Sequence, residues 1–359
     1  MKKVTAFLLC IALLFSSVLL WGCSNNAKVP LDVNFEGVNY NNQNNNSFCN
    51  LYCGSGDTAV YSSTALGYDS TIVYLARESK KYPLLVRSQL GDEIWMNEFR
   101  VVGKYGYFST TYDTKDSIYR YDFQKRSYEK IMEDNYIYSW MATDDFVVYG
   151  TYNEGSDRWG SGYDKLLLSF CDGNEPETVM EGECASYCIV DGKLRYLIPL
   201  GNQYLLYEYD AEKDVSNRLG EFKIRNDSEY VSYNFTSDKV VIYGYEMGWF
   251  EVYNIESGES KTYSCPLIDY LTAYDKYAYA VGMEVGGENV SLYRISLETG
   301  EYEELCVEDS EGEPLLSGYD CAIFVSSDDE VFFEEGTSGF RDTDIYKYDA
   351  KTNNVKRIN

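Results

Sequence analysis

A short phrase recurs along this chain at intervals that limit the possible folds more than any other feature. The chain ends with IYKYDAKTNNVKRIN from Ile345, and IYRYDFQKRSYEKI stands at Ile118. Further copies begin at Leu206, Val252 and Leu292, and weaker ones at Ile72 and Leu167. The matching position is taken by Val73, Tyr119, Leu168, Tyr207, Tyr253, Tyr293 and Tyr346, in steps of 46, 49, 39, 46, 40 and 53 residues. Such regular spacing indicates a repeat protein.

One repeat contains four short β-strands. The apolar runs Val231–Phe235, Val240–Tyr245 and Phe250–Ile255 precede a fourth run that reaches Ser264. Turn-forming serine, aspartate and glycine residues separate the runs, and a Gly-Trp loop lies between the second and third. We therefore predict one four-stranded antiparallel sheet per repeat.

The turns of the other repeats give the number of sheets. Aspartates mark the expected first turn of six repeats, and Lys104 and Tyr105 mark that of the seventh. These aspartates are Asp57, Asp145, Asp191, Asp238, Asp275 and Asp329. No stretch shows sustained helical spacing of apolar residues. The sequence thus predicts an all-β fold, a seven-bladed β-propeller of four-stranded antiparallel blades over residues 47–359.

The N-terminal segment is typical of an exported protein. Residues 1–22 contain a basic MKK start and an apolar run too short for an ordinary membrane span, followed by LLWGC. This ending resembles the lipobox of bacterial lipoproteins, in which Cys23 would receive the lipid. The alternative is an uncleaved membrane anchor, and both readings place the rest of the chain outside the cytoplasm.

An asparagine-rich stretch separates this signal from the predicted propeller. Residues 23–46 contain few aliphatic residues, so they cannot bury enough apolar surface to offset chain entropy. We predict a flexible tether there. In the propeller, tyrosines should fill the wedges between blades, and the examples are Tyr119, Tyr121, Tyr207 and Tyr209.

Lipobox, tether and blade motifs together resemble a known family. The blade motifs YRYD, YEYD, YKYD and LYRI are similar to those of surface lipoproteins of anaerobic Firmicutes with a low-density-lipoprotein-receptor-like β-propeller domain. The Tyr-Trp-Thr-Asp tetrad of the receptor propellers is absent from this chain. The resemblance implies a lipid-anchored surface propeller, and it transfers no catalytic residue.

Composition excludes several chemistries. The sequence has no histidine, so a serine or cysteine nucleophile would lack its usual base and imidazole metal sites cannot form. Propeller-capped peptidases are excluded on the same ground, and no phosphate-binding glycine motif occurs. We predict no cofactor and no metal site, and we interpret EDSEGEP from Glu308 as a solvated acidic turn.

Charge limits the possible partners. Removal of residues 1–22 takes away Lys2 and Lys3, which leaves 29 basic against 58 acidic residues and a net charge of −29. A surface of that sign repels phosphate backbones, so nucleic acid is excluded as a partner.

The cysteines outside the signal and the lipidation position number eight. Two pairs, Cys49/Cys53 and Cys184/Cys188, have a spacing that an extended strand would hold too far apart for a disulfide. A bridge from Cys49 to Cys321 between the first and last blades is conceivable. The alternative is that these cysteines are small buried residues on crowded inner strands.

The second turn of each blade is the predicted recognition surface. Second turns open on one face of the ring, where glycine-rich loops carry single aromatic residues on a rigid scaffold. The candidate ligand-binding residues are Tyr68, Trp159, Tyr163, Trp249, Phe340 and Arg341. The alternative role for each is packing at the ends of the blades.

Two functional hypotheses remain. The first is a non-enzymatic surface lipoprotein that binds or scaffolds a protein or glycan partner through this face. The second is a glycan-active enzyme that uses two carboxylates, because paired acids can hydrolyse glycosides without histidine. Two acids converging at the channel mouth would favour the enzyme, and exposed aromatic residues without such a pair would favour the binding protein.

Overall fold

The computed structural model describes the chain from residue 51 to residue 359 with gaps. The described residues are 51–63, 72–85, 96–112, 115–135, 137–152, 163–224, 231–245, 247–287, 289–308, 311–312, 314–316, 323–334 and 344–359. The predicted signal, the tether and Cys23 lie outside them and remain predictions. No helix long and apolar enough to cross a bilayer is present in the part of the chain that the structure describes.

Strand pairing groups 28 strands into seven sheets of four. Blade one contains β1 (Leu51–Ser55), β2 (Thr58–Ser63), β3 (Ile72–Arg77) and β4 (Lys80–Leu85). Blade two contains β5 (Met96–Val102), β6 (Tyr105–Tyr112), β7 (Lys115–Asp122) and β8 (Ser127–Asn135). Blade three contains β9 (Ile137–Ala142), β10 (Phe146–Thr151), β11 (Tyr163–Phe170) and β12 (Glu177–Cys184).

The remaining four blades have the same form. Blade four contains β13 (Ser186–Val190), β14 (Lys193–Leu200), β15 (Gln203–Asp210) and β16 (Val215–Phe222). Blade five contains β17 (Val231–Phe235), β18 (Lys239–Gly244), β19 (Trp249–Asn254) and β20 (Ser260–Ser264). Blade six contains β21 (Leu267–Tyr274), β22 (Tyr277–Met283), β23 (Ser291–Ser296) and β24 (Tyr302–Leu305). Blade seven contains β25 (Ile323–Ser327), β26 (Glu330–Glu334), β27 (Ile345–Asp349) and β28 (Asn354–Arg357).

Each sheet is an antiparallel meander whose strands follow chain order. The predicted seven-bladed β-propeller is therefore confirmed, and every first turn falls where the sequence placed it. All four described strands of blade seven come from the C-terminal end, so within the described residues the two ends of the ring share no strand. We call the contact between blade one and blade seven the ring seam.

The hydrophobic core lies between the blades rather than within them. One cluster joins blades seven, one and two, and each of the five others joins two successive blades. Tyrosines fill these wedges as predicted. Tyr121, for example, is 2% exposed, and its hydroxyl donates across to the carbonyl oxygen of Leu84 in blade one at 2.9 Å. Tyr207 stacks on Tyr196 with 5.4 Å between ring centroids.

The repeated tyrosine position needs correction in three blades. Tyr119 pairs with Phe108, and Tyr207, Tyr293 and Tyr346 occupy the same register in their blades. In the other three blades that register holds Tyr74, Leu167 and Glu251 instead of Val73, Leu168 and Tyr253. The offset is one residue in blades one and three, which exchanges the two faces of the strand, and two residues in blade five, which keeps the face.

The turns between strands differ in length from blade to blade. The second turns of blades two and four are short, since Tyr112 pairs with Lys115 and Leu200 pairs with Gln203. The third turn of blade three, at 171–176, is longer than either. The face with the second turns, here the loop face, therefore carries both short and long segments, and the opposite face is here called the turn face.

The cysteines of the described region are free thiols. Cys184 ends β12 and Cys188 lies in β13, so the prediction that one extended strand carries both was wrong. They form no disulfide, and Cys53 forms none either, which agrees with the prediction that neither pair bridges internally. Cys49 and Cys321 lie outside the described residues.

Candidate functional site

Four of the six predicted ligand-binding residues cannot be placed on the loop face. Tyr68, Trp159, Phe340 and Arg341 belong to segments outside the described residues, and they remain predictions. Tyr163 and Trp249 are described. Both are the first residues of strands, not loop residues as predicted, because their backbones pair with Cys184 and Ser264.

Tyr163 packs between blades three and four. Its half-buried ring lies over Gly150, where an added Cβ would come within 2.4 Å of the ring. On the other side, the ring centroid is 5.2 Å from that of Tyr187. Position 150 therefore requires glycine so that the ring can approach the backbone, and much of Tyr163 contributes to packing.

Trp249 lies at the corresponding end of blade five. An added Cβ at Gly244 would lie 3.2 Å from Cζ2 of the indole and 2.8 Å from Cβ of Met247. Gly248, with φ of +64°, turns the chain into β19. The indole is half-buried, so part of it faces solvent at the loop face.

Exposed apolar side chains concentrate at the second turns of three successive blades. Leu200 in blade four is 59% exposed, and Val285 in blade six is 74% exposed. Tyr245 and Met247 are exposed in blade five between them. The other exposed large hydrophobic residues of the described region lie on outermost strands, and they are Tyr128, Val215 and Tyr302. Sequence reasoning missed this group because it searched the loops for aromatic residues, whereas three of the four are not aromatic.

Carboxylates meet at the first turns of blades six and seven. Burial, followed by the charges of Asp275 and Asp329, raises the pKa of Asp328 above its ordinary value. The hydroxyl of Tyr279 donates to the carbonyl oxygen of Asp328 at 2.5 Å, which joins the two blades. Within the described ranges, no group of three histidine, cysteine, aspartate or glutamate side chains is arranged to hold a metal ion.

Thiol chemistry is disfavoured at the buried cysteines. Burial raises the pKa of Cys184 and of Cys265 to about 12, and it raises that of Cys53 further. A nucleophilic cysteine needs a lowered pKa, since the thiolate is the reactive form. These three residues therefore act as small core side chains.

A groove on the turn face was not predicted. It has a volume of about 360 Å³ and lies between the outer strands of blade five and the first and third turns of blade six. Its charged and aromatic lining residues are Lys239, Glu259, Lys261, Tyr263, Lys276, Tyr277 and Glu298. The sequence carried no signal for this site, because the lysines come from two strands of blade five and the first turn of blade six.

No family model and no curated protein matches the sequence. Solved structures match its fold. The chain is similar to a prolyl endopeptidase structure from an analysis of two such enzymes. The TM-score is 0.60, and the identity is 11% over 95% of this chain and 55% of the solved chain. It is similar to the tricorn protease with a TM-score of 0.57 and 12% identity over 88% of this chain.

The chain spans 34% of the tricorn protease chain and about half of the prolyl endopeptidase chain. A match of nearly equal length is the β-propeller domain of the Trilobed protease from Pyrococcus furiosus, described as having an open velcro topology. That likeness has a TM-score of 0.55 and 15% identity over 87% of this chain and 96% of the solved one. At these identities the structures share the β-propeller fold alone.

Proposed function

We propose that this protein is a non-enzymatic, lipid-anchored propeller of the cell surface that binds a partner through its loop face. The observation that carries the proposal is the group of exposed apolar residues at the second turns of blades four, five and six. Clustered exposed apolar side chains on one face of a soluble fold commonly mark an interaction surface. The exposed apolar residues on the outermost strands are scattered singly, which is normal for a protein surface.

The chemistry of this group favours a protein partner over a glycan. Leu200, Met247 and Val285 are aliphatic or thioether side chains, which gain most by burial against another apolar surface. Glycans instead present hydroxyl groups that require polar partners. Tyr163, Trp249 and the predicted residues Tyr68, Trp159, Phe340 and Arg341 would extend the same surface around the ring.

The anchoring part of the proposal rests on sequence. Cys23 follows a lipobox-like ending, and the asparagine-rich segment after it would hold the ring away from the membrane. The resemblance to low-density-lipoprotein-receptor-like surface lipoproteins supports the same location.

A protein and glycan array probed with the detergent-solubilised full chain would test the binding proposal. For each ligand found, Met247→Asp and Val285→Asp should weaken binding at least tenfold, because each places a charge in an apolar contact. Val215→Asp is the matched control, since it adds the same charge to an exposed apolar position on an outer strand. Equal effects of all three variants would contradict a loop-face site.

Aromatic positions give a second test of the same surface. Trp159→Ala and Trp249→Ala should each weaken binding by roughly 1 to 4 kcal/mol with little loss of stability. A sharp fall in melting temperature with unchanged affinity would show that these residues serve packing instead.

The second candidate is a glycan-active enzyme, and the raised pKa of Asp328 beside Asp275 is the observation that favours it. A carboxylic acid with a raised pKa can protonate a leaving group, while a nearby carboxylate assists. Hydrolysis of aryl glycosides by the full chain, abolished by Asp328→Asn and Asp275→Asn but not by Asp172→Asn, would establish this activity. Absence of hydrolysis over a broad aryl glycoside panel would eliminate it for the sugars tested.

A further inference from the structure

Two lysines in the groove between blades five and six, Lys261 and Lys276, have no ion-pair partner among the described residues, although the charge of Lys276 also acts on Asp328. Lys239 forms an ion pair with its neighbour Asp238. Lys261 and Lys276 are exposed, and neither has a carboxylate within 4.0 Å in the described part of the chain. Glu259 and Glu298 also line this cavity, and the ammonium groups of Lys261 and Lys276 remain available to a ligand. A ligand with a negatively charged group would supply an ion-pair partner for Lys261 and Lys276.

The aromatic walls of the groove are held in place. The ring of Tyr263 stacks on Phe250 with 5.1 Å between centroids, and its hydroxyl donates to the carbonyl oxygen of Glu298 at 2.8 Å. On the opposite wall, the guanidinium of Arg294 lies 5.1 Å from the ring centroid of Tyr277. Because these rings are fixed before binding, a ligand would lose little free energy in ordering them.

Polar groups complete the lining. Asn254, Ser257 and Ser296 supply amide and hydroxyl groups, and Glu259 and Glu298 supply carboxylate acceptors. Val252 and Leu297 add apolar surface. This combination suits a sugar ring, which presents both hydroxyl groups and apolar C–H faces, and the two ammonium groups suit a carboxylate on that ring.

The size and net charge of the protein limit how long the ligand can be. A volume of about 360 Å³ lies near the lower end of small-ligand pockets, which accommodates one or two sugar rings. Charges beyond a screening length of roughly 8 Å contribute little in physiological salt. For a small ligand, the lysines and glutamates of the groove itself therefore decide binding, whereas the acidic surface outside it would repel a long polyanion.

We propose that this groove binds an acidic sugar, a pyranose that carries a carboxylate, as a mono- or disaccharide unit. The carboxylate lies between Lys261 and Lys276, and the ring lies against Tyr277 and the edge of Tyr263, whose faces are covered by Phe250 and Gly300. This site lies on the turn face, so it is independent of the protein-binding site proposed for the loop face. Failure of either proposal leaves the other intact.

Isothermal titration calorimetry on the detergent-solubilised full chain tests the site with glucuronate as the probe. The methyl ester of glucuronate keeps the ring and removes the charge, so it should bind at least tenfold more weakly. Lys261→Gln and Lys276→Gln should each weaken glucuronate binding about tenfold or more, the usual scale for one charge-assisted hydrogen bond.

The matched control is Lys213→Gln. Lys213 is an exposed lysine on the third turn of blade four, on the same face of the ring, and it pairs with Asp210 in its own turn. Its replacement removes the same charge and should leave glucuronate binding unchanged. If one of the two groove variants misfolds, which a lowered melting temperature would show, the other still tests the proposal.

Several results would overturn the proposal. One is the absence of saturable heat with glucuronate, and another is equal affinity for glucuronate and its ester. A third is an equal loss of glucuronate affinity in Lys213→Gln and in the groove variants. Inorganic phosphate is titrated in parallel. Binding of phosphate without binding of glucuronate would show an anion site that does not recognise a sugar.

Discussion

Asp57 in the first turn of blade one accepts a hydrogen bond from Lys356 in the last strand of blade seven, with 2.7 Å between Oδ2 and Nζ and 299 positions between the residues. Lys347 donates to the other oxygen of Asp57 and to Glu330, each at 3.1 Å. The backbone N–H of Gly56 also donates to Glu330 at 3.1 Å. These contacts form a polar network at the ring seam, where strands β1 to β28 include none that is shared between the two ends of the ring.

We expect Asp57→Asn to destabilise the ring seam. The variant weakens two charge-assisted hydrogen bonds between blades, while Lys347 keeps its contact with Glu330. Because the Asp57 side chain is 48% exposed, solvent screens it, and the expected loss is about 1 kcal/mol in the free energy of unfolding. Chemical denaturation of the two proteins measures the difference.

Glu221→Gln is the control for that variant. Glu221 is about equally exposed and pairs with Arg218 in the same blade, so its replacement removes a surface ion pair that closes no ring. Its expected effect is about 0 to 0.5 kcal/mol. Equal losses in the free energy of unfolding of the two variants would show that Asp57 stabilises the ring seam no more than an ordinary surface ion pair does.

The same aspartate gives a pH dependence. The hydrogen bonds from Lys356 and then Lys347 lower the pKa of Asp57 below its ordinary 3.8. A lowered folded-state pKa stabilises the protein above the unfolded-state value, and this stabilisation disappears as the pH falls through the folded-state value. The stability difference between wild type and Asp57→Asn should therefore be constant from pH 5 to 7 and shrink below about pH 4.

Gly54 is predicted to be essential for close packing at the ring seam. An added Cβ would lie 2.5 Å from the ring of Phe332 in blade seven, which is fully buried. Gly54→Ala should therefore lower the free energy of unfolding by about 1 to 3 kcal/mol through overpacking. In the background of Phe332→Leu the same substitution should cost less, and an undiminished cost would contradict the clash.

Thiol labelling offers a test of burial in blade six. Cys306 is exposed, whereas Cys53, Cys184, Cys188 and Cys265 are buried. Iodoacetamide at pH 8 should therefore modify Cys306 before these four, as read by peptide mass spectrometry. Burial and then Glu308 raise the pKa of Cys306, so Glu308→Gln should speed its labelling. Slower labelling would contradict that role of Glu308.

Lipid attachment can be tested at a single residue. Cys23→Ala should leave the precursor unprocessed or release the protein from the membrane, because the thiol that would accept the lipid is gone. Cell fractionation and intact mass distinguish these results from wild type. Unchanged mass together with unchanged membrane retention would refute lipidation at Cys23.

The number and content of the blades could be predicted because their signals are local. Turn residues such as Asp57 and Asp275 and the alternating runs of each repeat depend on contacts between neighbouring strands. The choice of tyrosine for the wedges could be anticipated for the same reason, since wide, flat side chains suit sheets packed face to face. Strand boundaries were less certain, because Tyr163 and Trp249 pair in ladders that begin earlier than the glycine-rich turns suggested.

The candidate sites depend on distances that local sequence does not encode. Lys239 and Lys261 lie in two strands of blade five and Lys276 lies in a turn of blade six, and they line one groove because these two blades pack together. Glu251 occupies the register expected for Tyr253, because the pairing of β19 with β18 fixes that position and the repeated sequence motif does not. Repeat and turn chemistry were therefore sufficient for the fold, whereas packing between blades decided which charged and apolar side chains meet at the surface.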